Sequence, residues 1–147
     1  MMYLKGLVLE EFGGGMPFRV GLAERRRELL EGELRRIVPR IVEFDVEKII
    51  LFGSLASGSV HKSSDIDLIV VKRTDKGFLS RLEDFYAHLE PRVEGVGILV
   101  YTPEEFKEMK ESNQFVRSAL RSGRALYERQ QRERGEKMVS PGAPGPG

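Results

Sequence analysis

The stretch Leu51 to Val71, LFGSLASGSVHKSSDIDLIVV, decides how this chain is read. It begins inside an apolar run, Val46 to Phe52 (VEKIILF), whose β-branched content and closing Gly53 predict a buried strand. Gly53-Ser54 ends that strand, the ten residues Leu55 to Ser64 read as a loop, and Asp65 to Val71 (DIDLIVV) reads as a second strand. Strand side chains alternate between faces, so Asp65 and Asp67 share one face while Ile66 and Leu68 point into apolar surroundings. Two carboxylates so close repel unless a cation sits between them or one takes up a proton. Hard oxygen ligands suit Mg²⁺ or Mn²⁺, and Mg²⁺ typically combines one or two carboxylates with phosphate oxygens. Gly53 permits close backbone approach and Ser54 offers a hydroxyl, both useful against a phosphate. An Asp-x-Asp pair alone is common at a solvated strand start, and Gly-Ser alone is a turn. The information lies in their combination, spaced between two apolar strands.

Outward from this segment the periodicity is regular. Leu30, Leu34, Ile37, Val38 and Ile41 recur at helical spacing, which predicts an amphipathic helix over 22–43, with Pro39 expected to kink or interrupt its last turn. Phe78, Leu79, Leu82, Phe85, Tyr86 and Leu89 form a helical stripe over 76–90, and Val96 to Tyr101 (VGILVY) predicts a third strand. Thr102-Pro103-Glu104-Glu105 opens a further helix, with Thr102 as N-cap, Pro103 at the first helical position and Glu105 completing a capping box. Gln114 to Arg121 predicts another helix, stopped at Gly123, and Ala125-Leu126-Tyr127 a last short strand. The fold class is therefore α/β (α+β), a small mixed sheet flanked by helices. Residues 1–20 form an N-terminal leader with a break at Gly13-Gly14-Gly15, where Tyr3, Leu4, Leu7, Val8 and Leu9 fit a short strand or a loose segment equally well. The domain proper spans 21–128, and the polar and Pro-Gly residues 129–147 read as a disordered tail.

Composition narrows the function classes. The 147 residues suit a single domain with a core of its own. Lys and Arg number 24 against 23 acids, which argues against a general electrostatic grip on nucleic acid. With no cysteine there is no disulfide, no thiol nucleophile and no Cys–zinc site, in keeping with a reducing cytoplasm. No apolar run approaches the ~20 residues of a membrane span, and the acidic N-terminus makes a poor signal peptide. Only five of the acids are aspartates, Asp45, Asp65, Asp67, Asp75 and Asp84, and two of those five make the pair.

On these residues the chain resembles the nucleotidyltransferase superfamily related to DNA polymerase beta. It looks most like the minimal nucleotidyltransferases, or MNT proteins. The resemblance is carried by Phe52-Gly53-Ser54, by Ser64-Asp65-Ile66-Asp67-Leu68-Ile69-Val70, by Ile98 to Phe106 (ILVYTPEEF) and by Gly123 to Glu128 (GRALYE), and it covers roughly residues 22–128. It implies that Gly53 and Ser54 hold the phosphates of a nucleoside triphosphate, ATP above all. It implies that Asp65 and Asp67 are the catalytic, metal-holding carboxylates for Mg²⁺ or Mn²⁺. An acceptor hydroxyl would attack the α-phosphorus and pyrophosphate would leave. It also implies a partner, since many MNT proteins are antitoxins that adenylylate a HEPN ribonuclease toxin. A domain of this size has no obvious room for its own acceptor-binding module. Self-association is compatible with that picture, and antibiotic or nucleic-acid acceptors stay open as alternatives.

One position departs from the pattern. The superfamily places a third carboxylate on the neighbouring strand, and alignment on Tyr101 to Phe106 puts Gly97 there. Its loss removes several kcal/mol of transition-state stabilisation, or about three orders of magnitude in rate. Glu94 is the nearest substitute; its strand parity turns it away unless a bulge at Gly95 turns it inward. Relatives also carry Arg where this chain has Leu55 and Ser57, leaving Lys62, Lys72 and Arg73 as candidate replacements for that charge. His61 reads as an exposed loop residue and His88 as a surface or half-buried one. The first helix interleaves Arg25, Arg26, Arg27, Arg35, Arg36 and Arg40 with Glu24, Glu28, Glu31 and Glu33, the pattern of ion pairs on a solvated face. Two functions follow: Mg²⁺-dependent nucleotide transfer to a partner protein, or an MNT-fold antitoxin or nucleotide-binding module acting by contact alone.

Overall fold

A computed structural model describes residues 15–130, with side chains from residue 21 onward. The expected short strand within 1–20 and the expected disordered tail fall largely outside those residues. The first helix, α1, runs Gly15–Val42, seven residues earlier than its apolar stripe predicts. Pro39 lies inside it and does not interrupt it. A proline forfeits only its own N–H, and the ladder resumes at once, with Glu43 N donating to Pro39 O at 3.2 Å.

The sheet holds four strands, β1 (Lys48–Phe52), β2 (Ile66–Val71), β3 (Val96–Tyr101) and β4 (Arg124–Glu128), in the order β3-β2-β1-β4. β1 runs antiparallel to β2 and to β4, whereas β2 and β3 are parallel. The parallel pair requires a crossover, and α3 (Phe78–Leu89) supplies it. After the strands come α4 (Pro103–Ser112) and α5 (Gln114–Ser122). The Thr102–Glu105 capping box forms in both directions, Glu105 N to Thr102 Oγ1 at 3.1 Å and Thr102 N to Glu105 Oε1 at 2.9 Å. Gly123 ends α5 in extended backbone rather than a left-handed turn. Its missing Cβ matters for packing, since one would lie 2.8 Å from Ala119 O and 2.9 Å from Leu51 O.

Each sheet face has its own core. Ile49, Leu51, Ile66, Leu68, Val70, Ile98 and Val100 face α1 and α3, packing with Leu30, Ile37, Ile41, Phe85 and Leu89. Ile50, Ile69, Val71 and Tyr101 face α4 and α5, packing with Phe106, Val116 and Ala119. This burial on both faces explains why β2 reads as a nearly continuous apolar run.

α1 corrects the expectation of a solvated charged face. Glu33 is only 5% exposed, and it accepts from Arg36 Nε and Nη2, both at 2.9 Å, and from Arg92 N at 2.7 Å. Arg36 also donates to Leu89 O and Glu90 O at 3.0 Å, and Arg40 to His88 O at 2.9 Å. These arginines satisfy the carbonyls that the last turn of α3 leaves without intrahelical partners.

Candidate active site

β1 ends at Phe52, whose register partner on β2 is Asp67, and Asp67 is paired on its other side with Gly97 of β3. Phe52, Asp67 and Gly97 therefore lie side by side on the face that carries Ile50, Ile69 and Tyr101. The body of that face is covered by α4 and α5. Asp65 precedes β2 by one residue and shares the parity of Asp67.

Two glycines shape this end of the sheet. Gly53 has φ +80°, and a Cβ on it would collide with Asp67 Oδ2 and lie 3.3 Å from Asp67 Cγ. Gly95 has φ +86°, and a Cβ there would collide with Asp65 Oδ1 and lie 2.8 Å from Asp65 Cγ. Each carboxylate thus rests on the bare backbone of its own glycine, in a conformation that L side chains rarely adopt. Gly95 makes no bulge in β3. Its carbonyl accepts from Ile66 N at 2.8 Å, joining the entries of β2 and β3.

Burial, and then the charge of Asp65, raises the Asp67 carboxyl above the ordinary range. A bound cation would relieve both penalties, and in that sense the donor set fits a hard divalent ion. Among the described residues no third Asp, Glu, His or Cys joins the pair as a metal cluster. A Cβ at Gly97 would stand 3.5 Å from Asp67 Oδ1 in ordinary contact, so position 97 is where a third carboxylate would reach the site. Glu94 is exposed on the turn before β3, and its carbonyl accepts from Arg26 Nη2 at 3.1 Å.

The segment Leu55 to Ser64 is not all loop. Ser54–Ser57 forms a short helix, α2, directly after Gly53, and Leu55 is buried beneath it. Ser54 Oγ donates to Ser64 Oγ at 2.8 Å; Ser64 is 3% exposed and also accepts from His61 N at 2.8 Å. The two ends of the segment are thereby tied together beside the aspartates. His61 is exposed, with Nδ1 accepting from Ser63 N at 3.2 Å.

The charge beside the pair comes from a residue that sequence reading placed on a solvated face. Arg26 of α1 donates through Nε to Ser64 O at 2.8 Å, and its Nη2 lies 3.8 Å from Asp65 Oδ1. Only tertiary packing brings it there, 38 residues from Ser64. Lys72 and Arg73 lie beyond the opposite end of β2. Lys72 Nζ donates to Phe44 O at 2.8 Å, and Arg73 pairs with Glu47 and Glu104. Neither supplies charge at the aspartates.

The family profile described as polymerase beta, nucleotidyltransferase matches residues 36–132, well over half of the sequence, including Gly53, Ser54, Asp65, Asp67 and Gly97 but not Arg26. The chain belongs to the polymerase beta nucleotidyltransferase family. Among solved structures, this chain is similar to a protein of Sulfolobus solfataricus assigned as a nucleotidyltransferase, with 18% identity and a TM-score of 0.46 over 77% of this chain and 89% of that one. It is also similar to a toxin–antitoxin crystallised with AMP-PNP, with 19% identity and a TM-score of 0.40 over 65% of this chain and 77% of that one. A variant of the MntA-HpeT toxin–antitoxin shows 20% identity and a TM-score of 0.38 over 73% and 76%. No curated protein matches the chain at a significant level. No helix among the described residues is long and apolar enough to cross a membrane.

Proposed function

We propose that this nucleotidyltransferase holds a nucleoside triphosphate and Mg²⁺ (or Mn²⁺) at Gly53, Ser54, Asp65 and Asp67, and transfers AMP from ATP to a hydroxyl of a partner protein, a HEPN toxin, in the cytoplasm. The observation that carries the reading is the carboxylate pair itself, each member seated on a positive-φ glycine, with Asp67 half-buried beside the charge of Asp65. Two carboxylate oxygens placed together this way suit a hard divalent cation beside phosphates. The HEPN acceptor rests on the MNT resemblance of the motifs around Gly53-Ser54 and Asp65-x-Asp67.

In the reaction, the acceptor oxygen forms a bond to the α-phosphorus and the bond from that phosphorus to the α–β bridging oxygen breaks. Pyrophosphate departs with the bonding electrons, and the hydroxyl proton passes to water. The metal, when bound, neutralises the triphosphate and the leaving group. The chain's own part is positional. Gly53 lets phosphate approach the backbone, Ser54 offers its hydroxyl on turning it from Ser64 Oγ, and Arg26 fixes Ser64 O and Glu94 O beside Asp65.

A second reading has a specific observation in its favour. With Gly97 at the third-carboxylate position, the protein holds Mg–ATP weakly or not at all and neutralises its partner by contact. Incubation with labelled ATP, Mg²⁺ and the HEPN partner separates the two. The transferase reading expects label on the partner, lost in Asp65→Ala/Asp67→Ala. No label above that control supports the contact reading, and Gly97→Asp then restores transfer if the missing carboxylate is the only defect. If Glu94 supplies that carboxylate, Glu94→Gln abolishes wild-type transfer.

A further inference from the structure

The carboxylate pair has two unlike sides. Toward β3 its neighbour is Gly97, with no side chain. Toward β1 its neighbour is Phe52, and Phe52 meets a second ring, Phe115 of α5, edge to face at 5.7 Å between centroids and 86° between planes. Phe115 is 57% exposed, although the next residue, Val116, is fully buried against the sheet. Exposure alone does not single it out, since Leu29, Phe78 and Leu79 are exposed too; what does is the pairing with Phe52, whose register partner is Asp67. The three residues on either side of Phe115 in sequence (Ser112, Asn113, Gln114 and Val116, Arg117, Ser118) include no acid.

We propose that Phe115, braced by Phe52, is the shelf on which the base of the nucleoside triphosphate stacks. The inference rests on the nucleotide-binding reading above and adds its direction. A triphosphate held at Gly53-Ser54, directly after Phe52, has its aromatic end free to lie either toward Gly97 or toward the phenylalanines. Only the phenylalanine side offers a flat apolar surface. Every base has a π-face, so a shelf of this kind binds purine nucleotides with little discrimination among them. A protein partner docking on Phe115 is the competing occupant, and the test separates the two.

The experiment measures binding of Mg–ATP, Mg–GTP and Mg–tripolyphosphate, which has no base, to the full-length wild type and to Phe115→Ala, Phe115→Leu and Phe115→Tyr. Phe115→Ala is expected to weaken ATP and GTP alike by roughly ten- to hundredfold while leaving tripolyphosphate unchanged. Phe115→Tyr is expected to retain affinity. Phe115→Leu keeps the apolar bulk without the ring, so its loss of affinity for ATP marks stacking rather than general stability. Equal weakening of all three ligands, or of none, overturns the shelf, and weakened partner capture with unchanged ATP affinity assigns Phe115 to docking instead. Wild type that binds tripolyphosphate but shows no dependence on Phe115 sinks the shelf alone. Wild type that binds neither tripolyphosphate nor ATP sinks the nucleotide-binding reading, and the shelf with it.

Discussion

Replacing Gly53 by alanine sets two penalties on one atom. The backbone must keep a φ of +80°, and the new Cβ must displace the Asp67 carboxylate that occupies its place. With ψ at −162° this is an essentially glycine-only conformation, which costs an L residue roughly 1–3 kcal/mol. Gly53→Ala is therefore expected to lower Tm and, beyond that, to lack the rise in Tm that the proposed binding of Mg–ATP predicts for the wild type. Gly58→Ala makes a control for positive φ, since it has a φ of +86° in the left-handed region (ψ 7°) and open space around its Cβ. An equal loss of ligand response in both variants would show backbone strain, not carboxylate placement, to be the cause. Residue-scale chemistry was legible where a short pattern fixes parity: Asp65 and Asp67 do share a face. The need for Gly95 was not legible in that way. A glycine before a strand has many uses, and its role against Asp65 exists only once β2 and β3 are paired.

Among the elements, α1 does more than cover a core. Glu33 joins it to the chain after α3 through Arg36 and Arg92 N, almost entirely out of water. Glu33→Ala leaves the part-buried Arg92 N–H and the Arg36 guanidinium without their carboxylate, and part of Arg36 can still reach water. The expected loss is about 2–3 kcal/mol in urea unfolding. A loss below that of an exposed pair such as Lys48–Glu128, tested by Glu128→Ala, would return Glu33 to the solvated face its sequence suggested. Alternation of Glu and Arg at helical spacing is compatible with both arrangements, so the sequence could not choose between them. Helix starts were better encoded. Thr102-Pro103-Glu104-Glu105 specifies its own cap, because all the participating groups lie within one turn. The short α2 went unread, since four residues leave no period to detect.

Across the whole molecule, two carboxyls tie separate parts of the fold. Glu33 is held below its ordinary 4.5 chiefly by its hydrogen bonds to Arg36, and Glu105 chiefly by Arg81, which it meets at 2.7 Å and 3.1 Å. Both pKa values are depressed in the folded state, so the unfolded chain binds more protons in the acid range. Their stabilisation is fully present above the unfolded value of about 4.5 and is lost as pH falls through the folded values. Stability should stay level from neutrality to about pH 5 and fall below it, more steeply in wild type than in Glu33→Gln/Glu105→Gln. Asp67 works in the opposite sense, since its raised carboxyl accepts a proton more readily when folded. Parallel acid slopes in the wild type and the double variant would remove Glu33 and Glu105 as the cause.

The sequence by itself determined the α/β class, the strands around Gly53-Ser54 and Asp65-x-Asp67, the capped helix at Thr102 and the glycine at position 97. Each of these is written in local order: alternation, a cap, a turn, a residue type aligned on a neighbouring motif. Tertiary structure alone decided that Arg26 stands beside Asp65, that Glu33 is buried, that Lys72 and Arg73 lie at the far end of the sheet, and that Phe115 meets Phe52. Those facts depend on which strand ends and helix faces meet across tens of residues. Chain packing sets such distances, and no sequence period records them.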